Sequence, residues 1–306
     1  MKKLMFAVAA VAAGTVLADV KSANAVGYTQ VELPAQQFTM IGIPFQSVGG
    51  ESISVQDLIP DPLGQGLSGA MMAALAQGAD QLAYWDDTVQ GNYVYLYLCN
   101  MAGAKKNKWC VMTGDAFLTP EAKAKWGTYD TVSTAKLDPG MGLWFKRKAF
   151  TAAKTITMAG QVIVAQTGVT VTLKPGFNMF SGGFTTPFAP NIVASGTGDT
   201  DFDWLGNGVN GAMMAALSQG ADQMAYWDPT VQGNYIYLYL CNQAGAKRNK
   251  WCVMTGDAFL TPEAKAKWGT YDTVSPVVIP AGRGVWFKRK AGSAPLTLTL
   301  PQPYSL

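Results

Sequence analysis

Alternation of apolar and polar positions with period two dominates this chain. Val26 to Phe45 (VGYTQVELPAQQFTMIGIPF) contains two alternating runs broken at Pro34-Ala35, which predicts a strand, a turn and a strand. Asp80 to Trp85 reads as a further strand. The clearest is Tyr93-Val94-Tyr95-Leu96-Tyr97-Leu98, where aromatic and β-branched residues keep strict alternation. Tyr93, Tyr95 and Tyr97 occupy one face of it, and Val94, Leu96 and Leu98 the other. The polar stretch Met101 to Lys108 then predicts a turn, with Trp109-Cys110-Val111-Met112 returning antiparallel. Helical signals interrupt the pattern twice. Ala70 to Gln77 is rich in helix formers and stops at Gly78. Thr119 stands as an N-cap before Pro120 and Glu121, with Gly127 as the stop after Trp126. Pro139-Gly140-Met141-Gly142 makes a tight turn into the run Leu143 to Lys148, and Thr155-Ile156-Thr157-Met158 forms a last strand.

The same pattern is then written again. Gly69 to Lys148 recurs as Gly211 to Lys290 at a constant offset of 142, and 14 of the 80 aligned positions differ. A fixed long period marks a tandem array of one structural unit. The likeness extends beyond the block, because Val169 to Phe184 repeats the plan of the first strands and Thr297 to Leu300 that of the last. The expected architecture is mainly β: two tandem antiparallel β-sandwich or barrel-like repeat domains, 26–160 and 167–301, each with short helices. The link at 160–167 is short, so the units are expected to touch.

Composition adds a compartment. Of 306 residues 49% are hydrophobic and 14% charged, with 33 Gly and 16 Pro, an ordered and turn-rich balance. Lys2-Lys3 followed by the apolar run Leu4 to Leu17 reads as a secretory signal within residues 1–25, with cleavage after Ala18 or Ala25. No later stretch is apolar enough to span a membrane as a helix. The expected location is the periplasm, the cell surface or the exterior. A net charge of +3 without a large basic patch argues against nucleic acid as a partner. Cys99 and Cys110, repeated as Cys241 and Cys252, then predict one local disulfide per unit.

Candidate chemistry is sparse. The chain has no His, which removes Ser-His-Asp and Cys-His catalysis, and there is no G-x-S-x-G elbow. Asp80, Asp86, Asp115, Glu121 and Asp130 recur in the second copy and admit a carboxylate-pair hydrolase, although turn and capping roles also explain them. Asp199, Asp201 and Asp203 form a D-x-D-x-D run without the glycine or the terminal Glu of a calcium loop. Gly140-x-Gly142 serves a turn, and no cofactor motif is present. The aromatics are the stronger candidates. Tyr93, Tyr95, Tyr97, Trp85 and Trp109, with Tyr235, Tyr237, Tyr239, Trp227 and Trp251, would offer two equivalent platforms for glycans or for self-association, if not covered by a second layer. The basic clusters at Lys105 to Lys108 and Lys146 to Lys148 read as solvated turns and edge-strand charges.

Several of these motifs resemble a group of exported β-rich repeat proteins of Verrucomicrobia- and Planctomycetes-type bacteria. They are the start Val26-Gly27-Tyr28 with Val31-x-Leu33-Pro34, then Tyr84-Trp85-Asp86 and Asn92-Tyr93, and the exit Pro139-Gly140-x-Gly142-x-Trp144-Phe145. The second unit repeats them at Pro175-Gly176-Phe177-Asn178-Met179, Tyr226-Trp227-Asp228 and Gly282-x-Gly284-x-Trp286-Phe287. The resemblance implies an exported β-rich repeat and carries no catalytic residue. The expected function is a non-catalytic structural or adhesive protein of the cell exterior. Carbohydrate binding is the alternative, ahead of a glycoside hydrolase.

Overall fold

The computed structural model describes residues 25–303 except 36, 51, 59–77, 90–92, 100, 102, 148–151, 165–167, 192–220, 242–244, 249, 290–293 and 301. The leader up to residue 24, the helix expected at Ala70 to Gln77 and the Asp199 to Asp203 run lie outside the described residues. The first half contains β1 (Val26–Leu33), β2 (Phe38–Gly42), β3 (Phe45–Gln46), β4 (Ile53–Ser54), β5 (Gln81–Trp85), β6 (Tyr93–Cys99), β7 (Lys108–Val111), helix α1 (Pro120–Trp126), β8 (Lys136–Leu137), β9 (Gly142–Lys146) and β10 (Lys154–Val162). The second half contains β11 (Val169–Leu173), β12 (Gly176–Ser181), β13 (Gln223–Trp227), β14 (Tyr235–Cys241), β15 (Lys250–Val253), helix α2 (Pro262–Trp268), β16 (Gly284–Arg289) and β17 (Leu296–Leu300).

The fold is mainly β and its strand pairs are antiparallel. A five-stranded sheet in the order β2-β9-β5-β6-β7 is matched by a second in the order β12-β16-β13-β14-β15. The first strand of each half pairs with the last, β1 with β10 and β11 with β17. This small sheet faces the five-stranded one, giving a sandwich-like core. In the first half Val94, Leu96 and Leu98 from β6 are buried with Val31 and Leu33 from β1 and Ile156 and Met158 from β10. Full burial of such a side chain contributes about 1.5–3 kcal/mol. The apolar face of β6 thus goes where its alternation points.

A helix of seven residues is too short to persist alone, and α1 is held at both ends and along one side. Thr119 Oγ1 accepts from the Ala122 N–H at 3.2 Å, Pro120 opens the first turn, and Gly127 closes it at φ +100°. Ala122 and Trp126 are buried. Outside the duplicated block the halves use different residues for one task. The Gln56 amide takes the Trp109 N–H at 3.0 Å and donates to Trp109 and Ser133 carbonyls; Asn191 does the same for Trp251 and Ser275.

The halves interlock about an approximate two-fold axis. The Gly42 N–H donates to the Gly282 carbonyl at 2.8 Å, and the Ser181 N–H to the Gly140 carbonyl at 2.8 Å. Ile41 bridges Arg283, and Phe180 bridges Met141. Each of the turns at Gly140 and Gly282 also lies against the small sheet of the other half. A Cβ on Gly140 (φ +85°) would stand 2.4 Å from Val171 Cγ2, and one on Gly282 (φ +72°) 2.9 Å from Val31 Cγ2. Only glycine meets both the conformation and the clearance.

Candidate functional site

The Tyr faces of β6 and β14 do not stand open. The two five-stranded sheets face one another through them, and the interface is a lattice of rings. Trp85 meets Trp286 at 5.6 Å and Phe177 at 5.6 Å, Tyr93 meets Trp286 at 6.2 Å, and Trp144 meets Trp227 at 6.3 Å and Tyr235 at 6.2 Å, mostly edge to face. Such pairs contribute about 0.5–1.5 kcal/mol each beyond the area they bury. Met40, Ala83, Trp144 and Met179 are buried at its centre.

The proposed platforms are therefore redistributed. Trp85, Trp227, Tyr93 and Tyr235 bind the two halves together. Trp109 and Trp251 cannot offer a ring to a partner, because each packs edge-on to a core phenylalanine, Phe145 or Phe287, inside its own half. Tyr97 and Tyr239 are fully buried, and each donates its hydroxyl to a carboxylate, Asp130 or Asp272, which Lys105 or Lys247 pairs at 2.9 Å. Of the expected set, Tyr95 stays half-buried and Tyr237 is 42% exposed. Among the described residues, Phe117 and Phe259, on short 3-10 turns, are exposed in both halves, as are Tyr129 and Tyr271. Asp115 and Asp257 orient that region by accepting the Tyr129 and Tyr271 N–H at 2.8 Å.

The disulfide expectation is overturned: neither cysteine pair is at disulfide distance. The hairpin register explains this. Cys99 pairs with Lys108 and Cys110 with Tyr97, so the cysteines are diagonal neighbours and not opposite one another. Diagonal neighbours lie about 7–8 Å apart, beyond the reach of an S–S bond. The turn at Gly103 to Asn107 closes earlier than a symmetric pairing of Cys99 with Cys110 requires; Gly103 (φ +93°) and Asn107 (φ +54°) take the left-handed conformations it needs. Cys241 and Cys252 repeat the same register. Burial, and then the neighbouring Cys99, push the Cys110 thiol up to about 12.

A cleft of about 830 Å³ lies at the junction of the halves, between the end of β5 and the β11–β12 turn. No protein-family model, curated protein or solved structure matches this chain. The chemistry of the cleft is therefore read from its own residues. Trp85, Phe177, Met141 and Val171 supply apolar wall, and Asp87, Glu121 and Asp138 are exposed carboxylates along its rim. Lys174 reaches across the junction to Asp87 at 2.8 Å. Lys125 lies over the Tyr84 ring at 4.9 Å.

Asp86, the carboxylate deepest in the cleft, is occupied structurally. It accepts from Trp126 Nε1 at 2.8 Å, from Thr88 Oγ1 at 2.6 Å and from the Thr88 N–H at 3.0 Å. Burial works to raise its pKa, but these hydrogen bonds and the Lys125 charge outweigh burial and hold it below the ordinary carboxylate range. Asp228 is tied in the same way to Trp268, Thr230 and Lys267. The two copies part company around this point. The second has Pro229 for Asp87, Pro280 for Asp138 and Arg283 for Met141. Arg283 Nη2 donates to the Glu32 carbonyl at 2.9 Å. The first half's cleft thus has two carboxylates that the second half lacks at these positions, and lacks its cation.

Proposed function

We propose that this chain is an exported, non-catalytic glycan-binding protein of structural or adhesive role, with its ligand held in the junction cleft. The observation behind the reading is the divergence of the copies at that cleft. Four of its ten lining positions within the duplicated block differ between the copies, against ten of the other seventy. Aromatic rings beside hydrogen-bonding carboxylates suit sugar rings, which present an apolar face and a polar edge. The saturation of Asp86 takes the deepest carboxylate of the cleft out of acid–base chemistry, because a general acid or base must have a proton site open to substrate. Export rests on the charged and apolar leader, and the resemblance to exported repeat proteins agrees with it.

The test is a glycan array on the full mature chain followed by calorimetry on the hits. The variant Asp87→Pro/Asp138→Pro/Met141→Arg gives the first cleft the residues that the second half already tolerates, and it is expected to lose binding. Phe259→Ala, at a residue that does not line the cleft, is expected to keep it. An array without hits, or hits indifferent to the triple variant, would overturn the reading.

A further inference from the structure

The β6–β7 hairpin face that carries Tyr97 also collects sulfur. Alternation puts Cys99 and Met101 on the side of Tyr97, and Cys110 and Met112 on the same side of the returning segment. They form one cluster in which Cys99 and Cys110 are fully buried and Met101 and Met112 are half-buried and packed against them. Cys99 and Cys110 are diagonal neighbours across the hairpin, packed in the same buried cluster. The Met101 N–H is directed at Cys99 Sγ, 3.5 Å away. The second half repeats the cluster with Cys241, Cys252 and Met254, while the sequence has Gln243 where the first half has Met101.

A cluster needed only for volume would be served by sulfur-free apolar side chains, as the opposite face of the same hairpin is, with Val94, Leu96, Leu98, Trp109 and Val111. Here two adjacent thiols sit between two thioethers, against the polar chain Tyr97–Asp130–Lys105. We infer that each hairpin is a binding site for a soft monovalent metal ion of the Cu(I) type. Cys99 and Cys110 supply thiolates and Met101 or Met112 a thioether; Cys241, Cys252 and Met254 do so in the second half. Thiolate and thioether sulfur select Cu(I), which is satisfied by two or three such ligands. A structural zinc ion needs four, and among the described residues no three His, Cys, Asp or Glu side chains cluster to hold a metal. Each ion displaces one proton from each of two thiols, leaving a bis-thiolate of charge −1. The nearby Lys105 ammonium, which acts on Cys110, offsets that charge.

The experiment is anaerobic titration of the reduced full mature chain with Cu(I) in competition with a chromophoric Cu(I) chelator. Two ions per chain are expected, with near-ultraviolet thiolate-to-copper absorption and release of two protons per ion. Cys110→Ser/Cys252→Ser is expected to abolish both sites. Met101→Gln gives the first site the residue of the second. It changes a half-exposed side chain and no thiol, so it keeps the test decisive even where the serine variants unfold. It is expected to weaken one site about tenfold. No uptake by the native chain, or equal uptake by the serine variant in folded form, would overturn the inference; an unchanged competition curve for Met101→Gln would remove the Met101 thioether from it.

Discussion

Arg147 and Asp80 form a buried ion pair at 2.9 Å, with side-chain exposures of 7% and 0%, and Arg289 and Asp222 repeat it at 2.9 Å with 6% and 1%. Replacing Arg147 by Met removes the guanidinium while leaving a carboxylate that water does not reach. Breaking a buried pair in this way costs about 3–5 kcal/mol, whereas replacing both partners by apolar residues is often neutral or better. Arg147→Met is therefore expected to lose about 3–5 kcal/mol, and Asp80→Leu/Arg147→Met to return to within about 1 kcal/mol of the parent. The assay is urea unfolding of the full chain, followed by tryptophan fluorescence and by far-ultraviolet circular dichroism. With a slope of about 1–3 kcal/mol per molar urea, the single variant should shift the midpoint by at least about 1 M. Arg289→Met should reproduce the loss through the second half, which makes the two halves internal controls for each other. A loss below about 1 kcal/mol in the single variant, or a double variant as damaged as the single, would refute the argument that an uncompensated buried charge dominates here.

Three further outcomes are expected. Gly282→Ala should destabilise more than Gly176→Ala in thermal melts. Both glycines have positive φ, but only at Gly282 would the new methyl meet Val31 and Met158 at 2.9 Å, while at Gly176 nothing lies within 4 Å; equal losses would sink the packing account. Asp86 and Asp228 have folded pKa values below the ordinary one, so their contribution is complete above about pH 4 and disappears as pH falls through the folded value. Stability should be flat from neutral pH to about 5 and drop below about 4, and Asp86→Asn/Asp228→Asn should soften that acid limb; an unaltered acid limb counts against it. The four cysteines, all buried, should be silent to a thiol reagent in the native chain and give four equivalents after unfolding; four fast equivalents in the native state would contradict their burial.

Much of the secondary structure was legible because it is local. Thr119, Pro120 and Gly127 bracket α1 as their capping chemistry requires, and the alternation of β6 assigns its apolar face to the core without error. The destination of the Tyr face was not legible. A tyrosine is content at a wet surface and in a packed interface, so alternation alone does not say which it meets. A better signal lay in Leu143-Trp144-Phe145: three consecutive large apolar residues on one strand mean that both faces are covered. Trp144 and Trp286 are among the residues through which the two sheets face one another. The cysteine register failed for another reason. It depends on where a basic, glycine-containing turn closes, and a shift there moves every pairing along the strands. The cleft depends on residues from both halves, and only the substitutions between the copies hinted at it.

The crossed turns at Gly140 and Gly282 carry a consequence for how the chain is made. Strand β1 is made before the other strands, yet part of its cover is the turn at Gly282, about 250 residues later. The first half therefore cannot finish its own packing while synthesis is under way; it waits, with Val31 and Met158 open on one side, for the last strands of the second. Nascent chains truncated anywhere before that turn should share one vulnerability to proteolysis, at the start of the molecule and not at its growing end.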